Sequence, residues 1–389
     1  MKTKAVLVLI VFTILFARFN KPVYAAADLE QWINPNYDSS WHDLSTPAWG
    51  SYFTNPSQLT GMLSRINVFG MFEEATDSNP GNFLSHLIPL FKNNNISISV
   101  EGAPAKCSNP STQWANYTVN HLIKPIYDNG GSVGYFSIDT LPNTLLNCSP
   151  PLTMDQIVSE TVNFMKILHT AHPEIKFGLI SNFPNYGYGN NISCTGEKVD
   201  YKAYLETMLA GVVAQGEKLY FVHADNPYDY ANGTLCKTNP SKYYWIDRIV
   251  DLEKQVKSHG LRFGLIFNSA TPGRNGTDQR FYTDTLTYMN EYKTRGGNPD
   301  DIIIESWYPH PTNLFPDTTL YTFSNLVKNT LQVKGATPGD INGDGKVDMT
   351  DYKILVNNFG KTGLILSDIN RDGKVDIFDY NILVADYSK

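Results

Sequence analysis

No run of lysine and arginine in this chain is long enough to follow a phosphate backbone. The 31 basic residues are outnumbered by 38 acidic ones, leaving a net charge of −7 and a pI near 5.6. Nucleic acid is therefore not an expected partner. The HExxH, GxSxG, phosphate-loop and dinucleotide-binding patterns are also missing, which argues against zinc proteases, serine esterases and nucleotide enzymes. Cysteine is scarce. The four present, Cys107, Cys148, Cys194 and Cys236, are too widely spaced for a CxxC metal site, and their even number favours disulfides. The one long apolar run, Ala5 to Ala17, falls short of the roughly 20 residues a spanning helix needs. With Lys2 and Lys4 before it and Val23-Tyr24-Ala25 after it, it reads as an export signal over residues 1–25. The expectation is a secreted protein, extracellular or attached to a cell surface, with no membrane span once mature.

Aromatic residues, by contrast, are plentiful: 23 Tyr, 20 Phe and 6 Trp. Most are expected in the core, and a few are suited to stacking on sugar rings. From about residue 65 to 310 one phrase recurs, a short β-rich run followed by a longer amphipathic stretch. The runs are Ile66–Phe72, Ile96–Val100, Val133–Ile138, Ile175–Ile180, Lys218–Val222, Leu261–Phe267 and Asp301–Ile304. Near-continuous apolar strands separated by helices predict a parallel sheet, and seven in a row favour a closed TIM-like (β/α)8 barrel over an open one. The eighth strand is expected before Ile66, unless the barrel is irregular. The predicted organisation is a signal at 1–25, a barrel at 28–333, a linker at 334–339 and a small all-α module at 340–389.

That module is an internal repeat. DINGDGKVDMTDYKILVNNFG, from Asp340, and DINRDGKVDIFDYNILVADYS, from Asp368, agree at 13 of 21 positions. Calcium takes six to eight oxygens, so a calcium loop presents carboxylates and amides at alternate positions around a tight turn. Here the ligand positions carry Asp340, Asn342, Asp344, Lys346 (through its carbonyl), Asp348 and Asp351. The copy has Asp368, Asn370, Asp372, Lys374, Asp376 and Asp379, with Gly345 and Gly373 at the turn. Two calcium ions are expected.

With Asp at position twelve and one helix after each loop, the module resembles the dockerin family. The resemblance implies docking onto a cohesin module of a scaffold or cell-surface protein. It departs from the usual hydroxyls at the contact positions, which are Met349 and Thr350 in one copy and Ile377 and Phe378 in the other.

Barrel enzymes place their chemistry at the C-terminal ends of strands. Those positions hold Glu73, Glu74, Glu101, Asp139, Asn182, His223, Asp225, Asn268 and Glu305. Asp139, Glu101, Asp225 and Glu305 are the candidate catalytic carboxylates, since glycoside hydrolysis needs two carboxyl groups about 5–10 Å apart. His223, Trp307, Tyr308 and His310 are candidates for holding a polysaccharide or oligosaccharide. The stretches VEGAPAKC, FSIDTLPN, FVHADNPYDY, FGLIFNSATPG and IIIESWYPHP are loosely similar to a group of secreted barrel proteins without assigned activity. A secreted glycoside hydrolase with no barrel cofactor is the leading expectation. The rivals are a metal-assisted deacetylase or lyase, liganded by Glu101, Asp139, His223 and Asp225, and a glycan-binding barrel without catalysis. Loops after neighbouring parallel strands emerge side by side, which predicts disulfides Cys107–Cys148 and Cys194–Cys236.

Overall fold

Strands of a small barrel send alternate residues into a narrow lumen and out towards a ring of helices. The computed structural model describes residues 29–35, 59–72, 83–105, 107, 110–139, 149–189, 193–196, 199–238, 242–271, 276–306, 310–362, 366–370 and 372–387. Eight strands there have this alternation: β1 (Glu30–Asn34), β2 (Val68–Phe72), β3 (Ser97–Gly102), β4 (Val133–Asp139), β5 (Lys176–Asn182), β6 (Leu219–Asp225), β7 (Arg262–Phe267) and β8 (Asp301–Glu305). They pair in parallel in sequence order, and β8 closes on β1. The expected barrel is present, and its eighth strand does precede Ile66. That strand, EQWIN, is short and carries polar residues inward at alternate positions, so it lacks the apolar run that marks the others.

Outward residues such as Ile33, Phe69, Val100, Phe136, Leu179, Val222, Leu265 and Ile304 join one large buried cluster with the helices. Each such side chain contributes about 1.5–3 kcal/mol on leaving water, against the entropy of ordering the chain. The longer helices are α1 (Phe83–Asn93), α2 (Ser111–Tyr117), α3 (Met154–Ala171), α4 (Tyr201–Ala214), α5 (Lys242–Ser258), α6 (Asp278–Thr294) and α7 (Phe323–Thr330). Inward, Trp32, Val68, Ile180, Phe221, Ile266 and Ile303 fill the lumen. Glycines make room for the large rings there: a Cβ on Gly264 would fall 2.4 Å from the His223 ring.

The N-terminal end of the lumen, the foot, is closed by a charged network. Arg262 donates to Asp301 Oδ1 at 2.9 Å, and His223 Nε2 lies 3.1 Å from Asp301 Oδ2. Tyr135 donates to Glu30 at 3.0 Å, and burial together with that carboxylate pushes its hydroxyl pKa upward.

The chain then passes beneath the foot. The Gln31 side chain bonds both backbone groups of Gln332, and Lys334 donates its N–H to Ser64 O at 2.8 Å. The C-terminal module consists of two loops, α8 (Met349–Asn358) and α9 (Ile377–Asp386), around a core of Ile341, Leu355, Ile369, Val375 and Leu383. Each helix starts with an Asp capping box, Asp348 with Asp351 and Asp376 with Asp379. The expected export signal lies outside the described residues. Among the described residues no helix is long and apolar enough to cross a membrane.

Candidate active site and calcium loops

Continuing the inward alternation to the C-terminal strand ends brings Asn34, Glu101, Asp139, Asn182, Asp225, Asn268 and Glu305 to one layer at the barrel mouth. All four candidate catalytic carboxylates belong to it. Glu101 is buried at the end of β3, and Asp139 is half-buried at the end of β4. On the opposite side of the barrel Glu305 is fully buried, and both its oxygens accept amide bonds: Oε2 from Asn34 at 3.0 Å and Oε1 from Asn268 at 3.2 Å. The same Asn268 nitrogen donates to Asp225 Oδ1 at 3.3 Å. Two acceptors on one planar NH2 group stand about 5–6 Å apart. Burial pushes the Asp225 carboxyl up to about 6, against the opposing pull of the Asn268 bond.

Local contacts hold the bridging amide in place. Asn268 O accepts from Tyr228 N at 3.0 Å, and the Asp229 carboxylate accepts from Ala270 N and Thr271 N at 3.0 and 2.6 Å. The segment after β6 is thereby tied to the segment after β7. Asn34 fits beside Glu305 because β2 has a glycine next to it; a Cβ on Gly70 would fall 1.8 Å from Asn34 Oδ1. The Cys194–Cys236 disulfide is present and joins the segments after β5 and β6. The other expected pair involves Cys148, which lies outside the described residues.

His223 does not share the mouth with Asp225; it sits one inward position deeper, 2% exposed, between Trp32 and Phe221 and against Asp301. That placement sets it apart from Glu101, Asp139 and Asp225 at the mouth. The spacing placed it on the correct face, but Asp301, 78 residues away, draws it towards the foot. His310 is engaged as well, with Nδ1 2.6 Å from Asp278 at the start of α6. Trp307, Tyr308, Glu73 and Glu74 lie outside the described residues. Asn34 had not been anticipated, since its strand is too short to be recognised. Asn268 had been placed at a strand end without a role.

The loops of the C-terminal module are ordered around their acidic residues. Asp340 accepts from the backbone N–H groups of Gly343, Asp344 and Gly345, and Asp351 from those of Ile341, Asn342 and Asp348. In the second loop Asp368 Oδ2 accepts from Gly373, and Asp379 from Asn370 and Asp376. Gly345 and Gly373 sit at φ of +88° and +97°, a region that side chains disfavour, as a position-six turn requires. Among the described residues no three His, Cys, Asp or Glu side chains are drawn together as a metal cage. The donor set nevertheless fits calcium. Its side-chain donors are oxygens at alternate positions, and Asp368 Oδ1 is buried without a hydrogen-bond partner.

Residues 338–385 match the dockerin type I domain, and the C-terminal module is one; domains of this type bind calcium. No curated protein matches the chain. Among solved structures the chain is similar to D-psicose 3-epimerase with D-tagatose from Clostridium cellulolyticum H10 (12% identity, TM-score 0.40, covering 77% of this chain and 96% of that one). It is also similar to Haloferax volcanii malate synthase in a lead(II) complex (10%, 0.43, 72% and 70%). A third is the β-glucosidase from Thermotoga maritima in complex with a methoxycarbonyl-substituted glucoimidazole (11%, 0.43, 74% and 89%). Their named activities differ.

Proposed function

We propose that the barrel hydrolyses glycosidic bonds of an extracellular polysaccharide or oligosaccharide, with Asp225 as proton donor and Glu305 as its ionised partner. One observation carries this reading: the Asn268 amide bridges two carboxyl groups whose surroundings differ. Glycosidases need one protonated and one ionised carboxyl group, and a separation near 5–5.5 Å belongs to the retaining mechanism. Asp225, raised towards neutrality, holds its proton at mildly acidic pH and can pass it to the leaving oxygen. Glu305 keeps both oxygens on N–H donors, an arrangement that satisfies the carboxylate anion, and it faces the anomeric carbon as nucleophile. Asp139 and Glu101, across the mouth, accept hydroxyl protons of the sugar and fix its orientation.

The dockerin then tethers this barrel to a cohesin-type module, with calcium in both loops. Calcium neutralises the acidic residues that each loop gathers, so ordering of the module depends on the ion. Exposed Met349, Ile377 and Phe378 supply an apolar contact surface.

The test is a screen of the full chain against a polysaccharide panel with product analysis, followed by Asp225→Asn and Glu305→Gln on whatever substrate is found. Each should lose about 10²–10⁴-fold in turnover with the fold intact. Wild-type turnover should fall as pH rises through about 6, where Asp225 loses its proton. Near-normal rates in both variants would sink the assignment. A parallel loss in Asp139→Asn alone would transfer the acid role to β4.

A further inference from the structure

The two calcium loops are near-copies in sequence, but the barrel treats them differently. Lys293, in the last turn of α6, reaches into the second loop and places Nζ 2.6 Å from Oδ2 of Asp368, its first ligand position. Both side chains are out of water, 9% and 0% exposed. The lysine stem crosses the loop turn, where a Cβ on Gly373 would meet it at 3.8 Å. Among the described residues the first loop has no equivalent ion pair. Arg65 of the barrel lies beside the first loop and its charge is felt at Asp340, but its guanidinium donates to the carbonyls of Leu331 and Gly61, at 3.0 and 2.7 Å.

We propose that Lys293 is an internal competitor for calcium at the second loop, so that calcium there and packing of the dockerin on the barrel foot oppose each other. This rests on the reading that both loops take calcium. Asp368 has one oxygen on the ammonium and one, Oδ1, buried and unpartnered. A calcium ion held by Asp368 would share that carboxylate with the positive charge of the Lys293 ammonium, already seated on Oδ2. That charge lowers affinity in two ways. It repels the ion, and it neutralises part of the ligand charge that tunes calcium loops. Linkage makes the effect reciprocal: whatever Lys293 costs calcium binding, calcium costs the Lys293–Asp368 contact. The first loop therefore fills first and orders the module. The second fills at higher calcium and loosens it from the barrel.

Calcium titration calorimetry on the full chain tests this directly. In an Asp340→Ala background, which leaves only the second loop, Lys293→Met should tighten calcium binding about 5- to 150-fold, the usual range of coupling between sites. In an Asp368→Ala background the same substitution should leave the first loop unchanged. Lys293→Arg, which keeps the charge, should stay near wild type. Hydrogen exchange in the last turn of α6 should rise with calcium in the wild-type chain and not in Lys293→Met. Equal calcium affinity with and without Lys293 in the Asp340→Ala background would overturn the competitor while leaving calcium binding intact. No calcium binding in any variant would overturn both readings.

Discussion

The foot and the mouth of the barrel both bury carboxylates in the lumen, but they solve the cost of doing so differently. At the foot Asp301 is fully buried against a guanidinium and an imidazole, and Glu30 accepts from Tyr135 and Trp32. At the mouth Glu305 is equally buried, and the uncharged amides of Asn34 and Asn268 each donate to it. A carboxylate clamped to a cation is neutralised and fixed, and it serves the fold. One held by amides keeps its charge available to a developing cation in a substrate. The dockerin sharpens the contrast, because it packs at the foot, where Lys293 pairs with Asp368.

Three measurements would break or sharpen this comparison. The largest effect is expected at the foot. Asp301→Ala strands Arg262 and His223 in the lumen and should destabilise the barrel by about 3–5 kcal/mol, read as the barrel transition in denaturant at fixed calcium. A loss below about 1 kcal/mol would mean that the foot is not a structural clamp. Next comes the pH dependence at the mouth. The Asp225 carboxyl is raised to about 6 by burial, so the folded state binds its proton more tightly than the unfolded state. Stability from this group is present below the ordinary carboxylate range and is lost as pH rises through about 6. Asp225→Asn should therefore stabilise the protein by up to about 3 kcal/mol at pH 8 and leave it unchanged at pH 3. The reverse pH trend would refute the raised carboxyl. The smallest effect is expected for Glu305→Gln, where an amide replaces a carboxylate of the same shape. Its stability should fall by no more than about 1–3 kcal/mol, the cost of one buried N–H set against an amide donor, even as turnover collapses. A loss as large as that of Asp301→Ala would make Glu305 a structural residue and erase the distinction.

Much of this was legible in the chain itself where the determinants are local. Each dockerin loop carries its ligands within twelve residues, so spacing alone identified both loops. Seven barrel strands announced themselves as apolar runs, and inward alternation placed Glu101, Asp139, Asp225 and Glu305 in one layer. Tertiary structure decided the partnerships. Asn34 meets Glu305 across 271 residues, His223 is drawn from mouth to foot by Asp301 across 78, and Lys293 enters a loop 75 residues further on. Closing a barrel brings together strand ends that no short sequence window contains. Which carboxylate finds a cation and which finds an amide depends on that closure, because electrostatic pairing acts over a few ångströms of space whatever the separation along the chain.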